Sequence, residues 1–130
     1  MKIAGHIYPI FFILFLCLQL VGCQSDVQDE QREMLLGKWE LTEATRDGRY
    51  TESLDELFFE FYQDGEMRTN LSGRVESATY ELEDNLLLQR ESQIETDYQI
   101  EQLDEEKLMM STNLRGSHFV FTLERSIQEE

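Results

Sequence analysis

Proline and cysteine are both scarce in this sequence. The single proline is Pro9, and the only cysteines are Cys17 and Cys23. Proline lacks the N–H group that a β-ladder uses, so a chain without it after residue 9 is suited to continuous strands. Because no cysteine follows Cys23, the remaining sequence cannot form an internal disulfide. A domain in that part must be stabilised by its core alone.

Basic residues are few as well. The chain has 27 Asp and Glu against 11 Lys and Arg, and all 27 acidic but only 10 basic residues follow residue 22, which gives that part a formal charge of −17. Such a charge excludes a nucleic-acid-binding protein, which needs clustered cations, and it opposes lying flat on anionic lipid. It favours solubility, with attraction to a cationic partner as the alternative.

Groups suited to catalysis or metal binding are missing too. His118 is the only histidine after residue 22, so no histidine cluster can hold zinc and no second imidazole can relay a proton. The sequence has no glycine-rich phosphate loop, and its turn aspartates lack the spacing of a calcium loop. We therefore expect a protein that is not an enzyme and uses neither a cofactor nor a metal.

The amino-terminal segment differs sharply from the rest. Lys2 provides a positive charge, and residues 7–22 form a run of 16 mostly apolar residues. A membrane-spanning helix needs roughly 20 such residues, so the run is short for that role and typical of a secretory signal. An uncleaved membrane anchor is the alternative.

The end of that segment, Leu20-Val21-Gly22-Cys23, resembles the bacterial lipobox. The resemblance implies that residues 1–22 are a lipoprotein signal peptide, that cleavage follows Gly22, and that Cys23 carries a diacylglycerol and an acylated amino group. One acyl chain binds a bilayer only marginally, whereas two or three give a lasting anchor. The alternative is an ordinary thiol beside a conventional signal.

The residues after Cys23 bear on location. Gln24 stands where proteobacterial lipoproteins retained at the inner membrane usually have Asp, and the acidic residues 25–30 resemble the surface-export signals of Bacteroidetes lipoproteins. These resemblances imply a lipid anchor in the outer membrane of a bacterial cell envelope, with the domain facing either the periplasm or the cell surface.

The remaining chain alternates between short apolar segments and turns. Residues 23–33 are predicted to form an acidic tether, and a helical turn near Leu36 opens a domain at residues 34–130. Period-two alternation and turn pairs such as Asp64-Gly65 predict eight strands, at residues 38–45, 54–62, 66–71, 75–82, 86–91, 96–103, 107–112 and 117–125.

Short connections favour antiparallel pairing of each strand with the next. No long helix is predicted to cover an open sheet, so the strands can bury their apolar faces by closing into an all-β, eight-stranded up-and-down barrel. A two-sheet sandwich is the alternative, although its usual crossings need longer connections.

Gly37-Lys38-Trp39 at the start of the first strand resembles the Gly-x-Trp motif of the lipocalins. In that family an arginine near the end of the last strand packs across the tryptophan. Arg125 has the inward phase of Phe119, Phe121 and Leu123, so the resemblance gives it this role. The resemblance covers residues 34–125 and implies a lipocalin-like barrel, shorter than usual and without the long helix that follows the barrel.

Inward-phase aromatic residues could line a ligand cavity or simply fill the barrel. Among them, Tyr80 and Tyr98 are the better ligand contacts because a buried phenol needs a hydrogen-bond partner. The full set of candidate ligand-binding residues is Phe59, Phe61, Tyr80, Tyr98, Phe119 and Phe121.

Two functions remain open from the sequence. The first is binding of a small apolar or amphipathic molecule by a membrane-anchored barrel. The second is an interaction module of the envelope, such as an acidic inhibitor of a cationic protein. An interior cavity above roughly 300 Å³ would favour the first, and a filled interior with a dense acidic rim would favour the second.

Overall fold

The computed structural model describes residues 23–127, so the signal predicted at residues 1–22 lies outside it. One helix, α1 (Cys23–Leu35), precedes nine strands. The strands are β1 (Gly37–Arg46), β2 (Arg49–Tyr50), β3 (Phe58–Phe61), β4 (Glu66–Thr69), β5 (Glu76–Glu83), β6 (Leu86–Arg90), β7 (Thr96–Leu103), β8 (Lys107–Leu114) and β9 (Ser117–Arg125).

The strands form a closed antiparallel barrel. From β3 to β9 each strand pairs with its neighbours in the chain, β1 pairs with β3, and β9 pairs back with β1. Trp39 lies opposite Arg125 in the closing ladder. The short β2 pairs only with the end of β1, where Thr45 faces Tyr50. The predicted eight-stranded up-and-down barrel is therefore confirmed, with β2 as an addition.

Local sequence explains the tight turns. Asp47 and Gly48 have φ angles of 51° and 81°, and Arg115 and Gly116 repeat the pattern with 51° and 81°. Two consecutive positive φ angles are characteristic of the turn that joins antiparallel strands with their natural twist. In the structure these pairs form the turn between β1 and β2 and the turn between β8 and β9.

The second predicted strand, residues 54–62, is shorter in the structure. Its first residues form a loop, in which the Leu57 amide donates to the Leu54 carbonyl at 2.9 Å. Asn70 replaces the missing ladder bonds, since its side chain accepts from the Phe58 amide and donates to the Glu56 carbonyl. The loop places Leu57 in the core and leaves Leu54 half-buried above it.

The acidic tether predicted at residues 23–33 is helical. This segment contains no proline or glycine, and five of its eleven residues are Gln or Glu, which favour helix. Tertiary bonds hold α1 across one end of the barrel: Gln28 donates to the Leu82 carbonyl at 2.7 Å, and Arg32 donates to the Gln63 carbonyl at 2.9 Å. Because the segment has few apolar residues, the sequence did not predict that it packs on the barrel.

Within residues 23–127 no helix combines the length and apolar character needed to cross a bilayer.

Candidate ligand site at the barrel mouth

The helix-covered end of the barrel, here called the floor, is closed by Trp39. The indole is fully buried and its Nε1 donates to the Leu35 carbonyl at 2.8 Å. The Arg125 guanidinium lies 4.3 Å from the ring centroid, within the range of a cation–π contact. The floor therefore has the arrangement that the sequence predicted for these two residues.

Arg125 also satisfies the carboxyl-terminal end of α1. Its terminal nitrogens donate to the carbonyls of Leu36 and Met34, both at 2.5 Å, and its Nε donates to the Glu105 carbonyl at 2.7 Å. Gly37 makes room for this arginine, because a Cβ there would lie 2.8 Å from Nη1 and the φ angle is 113°. The motif glycine is thus required by the backbone conformation, and it also leaves room for the bound guanidinium.

The middle of the barrel is filled by aromatic rings. Phe59 contacts Tyr98 edge-on with a centroid distance of 5.5 Å, and Phe61 contacts Tyr80 in the same way at 5.2 Å. All four rings are buried within one hydrophobic cluster. The structure places these four candidate ligand-binding residues in the packed core.

The two buried phenols have protein partners. Tyr80 donates to the Tyr62 carbonyl at 2.6 Å, and Tyr98 donates to Gln89 Oε1 at 2.7 Å. Burial raises the pKa of Tyr98, so the phenol remains a neutral donor. Among the described residues no buried side-chain nitrogen or oxygen lacks a partner. Neither tyrosine therefore needs a ligand to satisfy its hydroxyl.

A cavity of about 480 Å³ occupies the opposite end, here called the mouth. It lies among the loops that follow β2, β4 and β6 and the turn between β8 and β9. Its lining combines apolar and polar side chains: Arg46, Ser53, Leu54, Leu71, Ser72, Gln93, Ile94, Glu95, Leu114, Arg115, Phe119 and Phe121.

Phe119 and Phe121 are the only two candidate ligand-binding residues that reach this cavity. Their ring centroids lie 5.9 Å apart in a stacked arrangement, with Phe121 fully buried and Phe119 half-buried. Phe119 thus presents an apolar surface that a bound molecule could cover, and Phe121 supports it from the core side. Alternation along β9 predicted that both point inward, but it did not predict how far each lies from the opening.

Arg46 is a lining residue that the alternation of β1 does not predict. Trp39 and Leu41 share the inward phase, but a β-bulge between Leu41 and Glu43 inserts one residue and reverses it. Beyond the bulge the buried residue is Ala44, and Arg46 follows it two positions later with the same phase. A strand without the bulge would direct Arg46 outward.

Two solved structures resemble this barrel. A lipocalin-like protein from Bacteroides uniformis ATCC 8492 has a TM-score of 0.50 and 16% identity, over 72% of this chain and 99% of that chain. An uncharacterized protein from Bacteroides eggerthii DSM 20697 has a TM-score of 0.50 and 20% identity, over 71% and 99%.

The fold is lipocalin-like. No family model matches the chain, and comparison with curated proteins gives no match. At these identities the similarity establishes the architecture and nothing about a ligand. The chemistry of the mouth must therefore be argued from the side chains of this lipocalin-like barrel itself.

Elsewhere, the described residues hold little that suggests chemistry. His118 shares a hydrogen bond of 2.9 Å with Asn113 on the outside of the barrel. Within residues 23–127 no three His, Cys, Asp or Glu side chains are placed to share a metal ion. The mouth cavity is the best candidate site for a functional interaction.

Proposed function

We propose that this lipocalin-like barrel binds a small apolar or amphipathic molecule in its mouth, without catalysing a reaction. The observation that carries the proposal is the cavity of about 480 Å³, bounded by the stacked Phe119 and Phe121 rings. Ligand pockets of proteins span about 300–1,000 Å³ and combine apolar walls with a few polar groups. The apolar side chains Leu54, Leu71 and Ile94 complete such a wall.

Filling the cavity should abolish binding. We expect Leu54→Trp to weaken binding of the neutral fluorescent probe N-phenyl-1-naphthylamine about tenfold or more, because the larger side chain takes the space of the probe. Leu86→Trp is the matched control, since Leu86 is exposed at the start of β6. Fluorescence titration measures both.

Equal probe affinity in Leu54→Trp and the wild type would contradict the mouth as the site. Native mass spectrometry of protein purified from its own host provides an independent measurement. A retained small molecule that is lost in Leu54→Trp and kept in Leu86→Trp would support the proposal and identify the ligand.

The proposal includes a lipid anchor on Cys23 in the bacterial outer membrane. The lipobox-like residues 20–23 support it, and so do the acidic residues 25–30. α1 begins at Cys23 and crosses the floor, so the anchor joins the barrel at the end opposite the mouth. In this arrangement the mouth opens away from the floor and remains accessible to ligand.

Cys23→Ala should eliminate lipid labelling, because the thiol that accepts the diacylglycerol is gone. Growth with a tagged fatty acid, followed by detection of label on the purified protein, measures this. Cys17→Ala is the matched control and should keep full label, since residue 17 precedes the cut.

Equal labelling of the wild type and Cys23→Ala would refute the anchor. Recovery of the wild type in the inner-membrane fraction would refute the outer-membrane placement. Protease treatment of intact cells then separates the two orientations, because only a surface-exposed barrel is digested.

A second candidate is an interaction module for a cationic protein. The formal charge of −17 after residue 22 favours it, because complementary charge speeds and orients association. Hen lysozyme is a suitable cationic probe. Binding that disappears at high salt and is unaffected by Leu54→Trp would favour this function over the mouth cavity.

A further inference from the structure

The charge of the mouth has the opposite sign to that of the chain. Two of the ten basic residues after residue 22, Arg46 and Arg115, line the cavity, with Glu95 as the one acidic lining residue. Within residues 23–127 the ion pairs are Lys38–Glu40 and Arg90–Asp97. Among the described residues, neither mouth arginine is paired with a carboxylate, which is the case for every basic residue of residues 23–127 except Lys38 and Arg90.

Arg46 is held with its terminal nitrogens available. Its Nε donates to Ser117 Oγ at 3.1 Å, and its guanidinium carbon lies 5.8 Å from the Phe119 ring centroid. These two contacts restrain the side chain over the apolar surface of the cavity. Among the described residues no protein oxygen accepts from Nη1 or Nη2 of this arginine. The planar edge that binds carboxylates and phosphates is thus free.

Arg115 approaches the same cavity from the turn between β8 and β9. The tight turn fixes its backbone at a φ angle of 51°, and the side chain lines the mouth. Glu95, the acidic lining residue, is bound elsewhere, because its Oε2 accepts from the Glu91 amide at 2.9 Å. That bond holds the carboxylate within its own loop.

We infer that the ligand of the mouth is an amphiphile with an anionic head group. Arg46 and Arg115 bind the head group at the rim, while the apolar part lies on Phe119 and Leu54. This inference rests on the proposed function and specifies its ligand class. Such a ligand is an ionised oxyacid attached to a hydrocarbon. Its oxygens accept hydrogen bonds from the guanidinium, and its hydrocarbon covers the apolar surface beside it.

Three amphiphiles with the same alkyl chain separate the head-group contribution from the apolar one. They are dodecanoate, 1-dodecanol and dodecyltrimethylammonium, each titrated calorimetrically below the concentration at which it forms micelles. We expect the wild type to bind dodecanoate about tenfold more tightly than dodecanol, and the cation most weakly. Pairs of exposed charges contribute modestly, so a larger preference is not expected.

The variant Arg46→Gln/Arg115→Gln should lose the preference for dodecanoate and keep its affinity for dodecanol. Arg68→Gln/Lys107→Gln is the matched control. It makes the same change in net charge at two basic residues that lie outside the cavity lining and do not pair with Arg46. It should retain at least two thirds of the preference. Added salt should reduce the preference in the wild type, because ions screen exposed charges.

The outcomes distinguish this inference from the proposed function. Equal affinity of the wild type for dodecanoate and dodecanol, or an unchanged preference in Arg46→Gln/Arg115→Gln, would overturn the anionic head group and leave the cavity as a binding site. An equal loss in the control pair would also overturn it, since net charge would then be the cause. Failure of the wild type to bind dodecanol would count against the proposed function itself.

Discussion

Trp39→Ala should lower the free energy of unfolding by about 3–5 kcal/mol, the usual cost of truncating a fully buried aromatic residue. Trp39 is completely buried and lies opposite Phe59 in one ladder and Arg125 in the other. Its removal leaves a cavity at the floor and takes the indole donor from the Leu35 carbonyl. Chemical denaturation measures the loss. Unfolding is followed by circular dichroism, because Trp39 is the only tryptophan and its replacement removes the tryptophan fluorescence signal.

Two controls separate the contributions to this loss. Trp39→Phe keeps most of the apolar volume and removes the hydrogen bond, so it should cost less than Trp39→Ala. Tyr50→Ala removes an aromatic side chain that is 78% exposed and should change stability by less than about 0.5 kcal/mol. A Trp39→Ala protein within about 1 kcal/mol of the wild type would show that the floor contributes little to stability.

The contact between the two ends of the domain could be predicted once the barrel was expected to close. Period-two alternation gave Phe119, Phe121 and Leu123 one phase, and extending that phase by two residues reached Arg125. In an antiparallel meander that closes, the end of the last strand must meet the start of the first. The pairing of Trp39 with Arg125 follows from that rule and is present in the structure.

Depth along the barrel axis could not be predicted in the same way. Alternation tells which face a side chain occupies, and it gives Phe59 and Phe119 the same inward phase. Their different surroundings depend on which end of the barrel the connecting loops leave open. Phe59 lies in the packed middle, whereas Phe119 lies at the mouth, where loops replace paired strands. The six candidate ligand-binding residues therefore include four residues of the packed core and two residues that line the cavity.

Irregularities of the backbone were the other obstacle. The bulge between Leu41 and Glu43 reverses the phase of β1, yet no proline or glycine marks it in the sequence. The sequence therefore does not predict that Arg46 lines the mouth, nor that the mouth carries positive charge. The helix α1 was difficult to predict for a related reason. Polar contacts with barrel carbonyls hold it, and among its described side chains only Leu35 is buried in the core.

Arg125→Ala should destabilise the protein by roughly 1–3 kcal/mol. The substitution removes the guanidinium from the Trp39 ring and withdraws donors from the carbonyls of Met34, Leu36 and Glu105. Two of these carbonyls belong to the end of α1 and its junction with β1, where no helical amide is available to bind them. Chemical denaturation measures the change. If the circular dichroism signal of the helix is lost at lower denaturant concentration than that of the strands, α1 is the part that Arg125 stabilises.

Arg125→Lys should recover only part of that loss. Lysine keeps the charge and an apolar stem, but its ammonium is a point donor that cannot reach the Leu36, Met34 and Glu105 carbonyls together. A double-mutant cycle with Trp39→Ala and Arg125→Ala isolates the contact between the two side chains, because it subtracts the bonds to the backbone that each single variant also loses. We expect a coupling energy of about 0.5–2 kcal/mol, the range of a cation–π contact that is partly withdrawn from water. A coupling energy of zero would mean that Arg125 stabilises the floor only through the carbonyls of α1, and full rescue by lysine would contradict the need for a planar donor.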